Sequence, residues 1–133
     1  MFWDDLAQDL QDPQFLCEYV AQSIRIATID RIVNELDAAR EAAGLSKAEL
    51  ARAISSEPAT VRRLFSAGHV NPTLGTLAEV AAALGMRVVL EPLDADDRKR
   101  ITGPLLERST DDPRVLARRL EAMRLHQDES AAG

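Results

Sequence analysis

Few side chains in this sequence could carry chemistry, and the clearest are cationic. Arg62 and Arg63 are adjacent, and Lys47 and Arg52 precede them in the same stretch. A guanidinium is a planar fork of donors that fits a carboxylate, a phosphate or the O6/N7 edge of a guanine, whereas an ammonium acts as a point charge. Most adjacent arginines are solvated surface charges, so the weight of this pair rests on its surroundings. Other reactive residue types are sparse. His69 and His126 lie far apart, with no Cys or second His at ligand spacing, and no metal site is expected. The single Cys17 cannot form a disulfide within the chain, and Phe15, Leu16 and Tyr19 beside it suggest a helix face. The sequence has no Gly-rich phosphate loop, no nucleophile with a recognisable base and no paired carboxylates in evident register. Neither an enzyme nor a cofactor is expected.

Cations that read a duplex must sit on a helix braced by a partner helix across a tight turn. That geometry demands small or apolar residues at fixed offsets over about twenty positions. The stretch from Lys47 to Ser66 supplies them. Ala51 is small where two helices would approach, and Leu50, Ile54, Val61 and Leu64 can form the wedge between them. Ser46 is followed three residues later by Glu49, the spacing of a capping box. Ahead of this pair, Ile29, Ile32, Val33, Leu36 and Ala39 recur at helical spacing, which predicts a helix over Thr28–Ala43 that Gly44 stops. Further helices are predicted over Ser46–Ala53, Pro58–Ser66 and Thr73–Leu84, with Gly85 ending the last. Connections this short imply compact, angled helices. Met86–Leu90 holds Val88-Val89-Leu90 before Glu91-Pro92, a short β-prone run that could pair with a second copy of itself.

The outer segments read differently. The first 25 residues hold Phe2, Trp3, Phe15 and Tyr19 with Leu6, Leu10, Leu16, Val20 and Ile24, which fits two short helices divided at Asp12-Pro13 and packed on the body of the same chain. Leu93–Thr110 is charged and broken by Gly103-Pro104, as a linker would be. A helix is predicted from Arg114 to about Gln127, with Leu116, Leu120 and Met123 on one face, and a disordered tail over Asp128–Gly133. The expected division is therefore 1–27, 28–92 and 93–133. At 133 residues, 46% apolar and 29% charged, one compact domain with appendages is expected. No apolar run nears the roughly 18 residues of a membrane span, and the acidic start lacks the basic residues of a signal peptide. A cytoplasmic protein is expected. The net charge of −6 is uneven: residues 1–43 carry three basic and nine acidic side chains, 44–90 five and three, 91–133 eight and ten. Only the middle third is positive, and phosphates respond to the local field rather than to the sum.

The chain resembles the lambda-repressor-like, Cro-type helix-turn-helix family. Ala-Gly-Leu-Ser-Lys-Ala-Glu-Leu-Ala (43–51), Asn-Pro-Thr-Leu-Gly-Thr-Leu (71–77) and Ala-Leu-Gly (83–85) carry the likeness, which covers about residues 28–90. Asp12-Pro13-Gln14-Phe15 with Glu18-Tyr19, and Leu84-Gly85-Met86-Arg87 through Glu91-Pro92, are similar to the antitoxin branch that includes HigA-type proteins. The resemblance implies an all-α, five-helix DNA-binding domain with an N-terminal helical extension, a short strand at its end and a C-terminal helix. It implies a recognition helix over Glu57–Ser66, with Pro58, Ala59, Thr60 and Arg63 facing base edges. Ser46, Lys47, Arg62, His69 and Asn71 would meet phosphates. It further implies a homodimer on a palindromic operator in double-stranded DNA, repressing transcription, and a toxin protein as partner, a ribonuclease by the same likeness. Two positions depart from the family pattern. Ser55 stands where Gly is frequent, and Glu57 where a small capping hydroxyl is usual. A regulator without a toxin partner, or a protein-protein adaptor that has lost DNA binding, remains open at this point.

Overall fold

The computed structural model describes residues 2–66 and 71–132, with side chains through Met123. His69 lies outside the described residues. All regular structure described is helical: α1 (Phe2–Asp9), α2 (Pro13–Ala42), α3 (Lys47–Ala53), α4 (Pro58–Leu64), α5 (Leu74–Ala83), α6 (Ala95–Asp97), a π turn (Arg98–Thr102), α7 (Gly103–Glu107) and α8 (Pro113–Ala132). No described helix is long and apolar enough to cross a membrane. The chain forms two compact units, one of Ile29–Leu90 and one joining Met1–Thr28 to Glu91–Gly133.

α2 begins where the sequence places a cap. Pro13 opens the helix, and the Gln14 N–H reaches the Asp12 carboxylate at 3.1 Å. It then runs unbroken for 30 residues, where two helices had been expected. The apolar positions of residues 13–28 (Leu16, Val20, Ala27) and those of residues 29–42 (Val33, Leu36) do not keep one helical phase. That shift looks like a boundary in the sequence, yet no Gly or Pro lies between Gln14 and Ala42 to break the backbone.

Within Ile29–Leu90 the core is Val33, Leu36, Leu50, Ala51, Val61, Leu64, Leu77, Val80 and Ala81, with Ile29, Ile32, Ile54, Phe65 and Leu84 packed around it. The last part of α2 with α3, α4 and α5 gives four helical pieces among the described residues, not the expected five. The expected strand at Met86–Leu90 is also absent. A strand exists by virtue of a ladder, and this segment has no backbone partner among the described residues beyond the bond from the Met86 N–H to the Ala81 carbonyl.

The other unit is built on Leu6, Leu10, Leu16, Val20, Ile101, Leu116, Ala117 and Leu120. Trp3, Phe15 and Tyr19 pack against that core, while Phe2 is exposed. Arg114 pairs with Asp4, tying α8 to α1, and Arg119 donates to Asp97. The segment expected to be a linker is helical from Ala95 to Glu107 and buries Ile101 and Pro104. Gly103-Pro104 concealed it. Proline has no N–H, and its ring collides with the carbonyl four residues back, so the chain widens into a π turn in which Gly103 bonds back to the Arg98 carbonyl.

Candidate nucleic-acid interface

The site rests on α3. Its N-terminus carries the capping box read from the sequence: Glu49 N–H donates to Ser46 Oγ at 3.0 Å, and Ser46 N–H donates to Glu49 Oε1 at 3.1 Å. The Ser46 backbone bond, aided by the Ser46 hydroxyl and the nearby Arg52 charge, holds the Glu49 carboxyl below its ordinary pKa. Leu50 and Ala51 are wholly buried. The absence of bulk at Ala51 lets α4 pack close, and Val61 and Leu64 of α4 are buried in the same core.

Between the helices the chain reverses through a Schellman turn. Ser56 N–H donates to the Ala51 carbonyl at 2.8 Å and Ser55 N–H to Arg52 at 3.2 Å. The turn needs one left-handed residue, and Ser55 takes that conformation with φ of +53°. An L side chain there costs about 1 to 2 kcal/mol relative to the usual regions, so the departure from Gly is tolerated at a price in stability, not avoided by a different turn. Glu57 is the N-cap of α4 and makes no side-chain capping bond. Pro58 at the first helical position limits the loss, since it has no N–H to satisfy.

On α4, Val61 and Leu64 mark the inner face, and at 100° per residue Ala59 and Arg63 fall opposite them. Ala59, Arg62 and Arg63 are exposed, while Pro58 and Thr60 are half-buried at the flanks. Four of the proposed base-reading positions thus share one short helix, and Arg62 joins its outer side. At the head of α3, Ser46 is exposed and Lys47 half-buried, and Asn71, before α5, is exposed. Ser46 is already engaged with Glu49 through both its backbone N–H and its hydroxyl oxygen, which leaves its O–H as the group able to meet a phosphate.

One residue that braces this arrangement was not singled out by sequence reasoning. Arg40, near the end of α2, donates through Nε to Asp37 at 2.9 Å and through Nη1 to the Leu45 carbonyl at 2.8 Å. Its guanidinium also lies 5.8 Å from the centre of the Phe65 ring, at the end of α4. It therefore links α2, the loop before α3 and the end of α4. The i, i+3 spacing of Asp37 and Arg40 was visible in the sequence; the approach of Phe65 was not.

Residues 36–89 match the helix-turn-helix family model, and the match spans α3, α4 and α5 with the end of α2. No curated protein and no solved structure matches the chain. A domain of this class supports a DNA-binding transcription regulator.

Proposed function

We propose that this chain is a sequence-specific transcriptional repressor that binds a palindromic operator as a homodimer. The observation that carries the reading is the division of α4. Val61 and Leu64 are buried, while Ala59, Arg62 and Arg63 stand in solvent on a helix held by α3. In this reading Arg63 contacts a guanine edge, Pro58, Ala59 and Thr60 line the major groove beside it, and Ser46, Lys47, Arg62, His69 and Asn71 hold the phosphates.

We further propose that the protein acts in the cytoplasm as the antitoxin of a toxin-antitoxin pair, repressing its own operon and neutralising a ribonuclease. The support is the likeness of segments 12–19 and 84–92 to HigA-type antitoxins, together with the charge division of the chain. Residues 29–90 carry seven basic and seven acidic side chains, whereas 1–28 with 91–133 carry nine basic and fifteen acidic. The whole net charge thus belongs to the unit without the helix-turn-helix, and an acidic unit suits a partner that is itself built to bind nucleic acid.

The test is a gel shift on the DNA upstream of its own gene, with footprinting and a salt titration. Protection of two half-sites about one helical turn apart, or a multiple of that, with steep loss of affinity at higher salt, is the expected result. Absence of any shift at low salt refutes DNA binding and favours the adaptor. Co-expression with the product of the adjacent gene tests the second part: failure to co-purify or to relieve toxicity leaves a regulator without a toxin.

A further inference from the structure

Residues 86–92 read Met-Arg-Val-Val-Leu-Glu-Pro. All are exposed and none is helical or in a turn; Val89 is 58% and Leu90 99% exposed. In an extended chain, successive N–H and C=O groups point to alternate edges. The edge of residues 86, 88, 90 and 92 is compromised. The Met86 N–H is spent on the Ala81 carbonyl at 2.7 Å, closing the Schellman turn after α5, and Pro92 has no N–H. The other edge, of Arg87, Val89 and Glu91, has no backbone acceptor for any of its amides among the described residues.

We propose that this second edge is where two copies of the chain meet, pairing antiparallel about a two-fold axis through Val89. The sequence is self-complementary in that register. Val89 faces its own copy, Val88 faces Leu90, and Arg87 faces Glu91 on both sides of the axis. Shifting the centre to Val88 or to Leu90 sets Val89 opposite Arg87 or Glu91 and loses both charge pairs. In the Val89-centred register the hydrogen-bonded pairs are Val89 with Val89 and Arg87 with Glu91, giving about six backbone bonds. Pro92 then lies opposite Met86 at a position where no N–H is called for. The pairing is isologous, as a two-fold dimer requires, and matches the symmetry of a palindrome. A ribbon of two strands is marginal by itself, so the dimer dissociates readily in dilute solution and palindromic DNA tightens it.

The inference supplies the dimer surface for the repressor reading, and its test needs no DNA. Sedimentation of the full chain gives the dimer dissociation constant. Arg87→Glu, which sets like charges face to face twice, is expected to raise it about tenfold, and Glu91→Arg likewise. The combined exchange, Arg87→Glu with Glu91→Arg, is expected to restore it to within about threefold. These side chains are exposed, so folding is retained and circular dichroism verifies it. Val89→Cys is expected to cross-link to its own copy under mild oxidation, because facing residues at about 5.5 Å between Cα atoms are within disulfide reach. Val88→Cys, which faces residue 90, is expected to cross-link far more slowly. A wild-type chain that stays monomeric even at the highest concentration that remains soluble, an Arg87→Glu variant that dimerises as the wild type does, or failure of the double exchange to restore it overturns the proposal. A chain that dimerises along this edge yet shifts no DNA overturns the repressor reading alone.

Discussion

Replacing Ser55 by glycine should stabilise the protein, and the turn between α3 and α4 sets the size of the effect. Ser55 has a φ of +53° and is exposed. The left-handed conformation costs a residue with a Cβ about 1 to 2 kcal/mol. Glycine removes that cost but widens the unfolded ensemble, which takes back about 0.4 to 1 kcal/mol. Taking the middle of each range, the expected net gain is about 0.8 kcal/mol, a rise of about half a molar in the urea midpoint for a slope of about 1 to 2 kcal/mol per molar. Gly44 provides the opposite control. It has φ of +71° in the same kind of turn, and a Cβ built on it meets nothing within 4 Å. Gly44→Ala thus isolates the conformational cost and should lower the midpoint by about the same amount. The helical signal in circular dichroism is the right readout, since the single Trp3 belongs to the other unit. If Ser55→Gly leaves the midpoint unchanged or lowers it while Gly44→Ala lowers it as expected, the strain argument for this turn is wrong.

Three other substitutions probe the same region. Arg63→Ala should cost about 1 to 3 kcal/mol on the best operator and relax one base position, whereas Lys47→Ala should weaken all sequences and lower the salt slope by about 1; binding-site selection at several salt concentrations separates them, and a uniform loss from Arg63→Ala removes its reading role. Glu57→Thr supplies the capping hydroxyl that α4 lacks and removes a negative charge from the site, so it should add about 1 kcal/mol to stability and tighten DNA binding; weaker binding instead would show that Glu57 itself touches a base or orients Arg63. Glu49 has its pKa lowered in the folded state, so its contribution is present above the unfolded glutamate value and is lost as pH falls through the depressed folded value. The gap in unfolding midpoint between the wild type and Glu49→Gln should accordingly narrow from about pH 6 to about pH 3, and a constant gap would dissociate the capping carboxylate from the pH response.

What the sequence disclosed, and what it did not, follows from how far apart the interacting residues lie. The capping box at Ser46 and Glu49, the wedge of Leu50, Val61 and Leu64, and the stops at Gly44 and Gly85 are local, and each was legible. Four of the described residues adopt the left-handed turn conformation: Gly44, Ser55, Gly85 and Arg108. Each is followed by a backbone bond reaching five residues back, from Leu45 to Arg40, Ser56 to Ala51, Met86 to Ala81 and Ser109 to Pro104. Glycine announced two of them. Ser55 was recognised by its place in the helix pair, and Arg108 gave no sign, because its turn depends on a helix that Gly103-Pro104 had hidden. The union of Met1–Thr28 with Glu91–Gly133 is non-local altogether.

That union also explains why the total charge misleads. A chain with a net charge of −6 looks ill-suited to phosphate, and cutting it into consecutive thirds overcorrects the impression by making the middle third positive. The physical division follows packing rather than sequence order, and by that division Ile29–Leu90 is balanced, with seven charges of each sign. Balance in sum still permits a basic surface. Asp37 and Arg40 cancel one another and Glu49 keeps its charge at the head of α3, while Arg62 and Arg63 stand exposed on α4, so the positive charge is local to that helix. A screened field weakens over about 8 Å at physiological salt, so a phosphate at α4 feels those arginines and Glu57 far more than any charge beyond that range. At the head of α4 itself, Glu57 is therefore the carboxylate that works against the duplex.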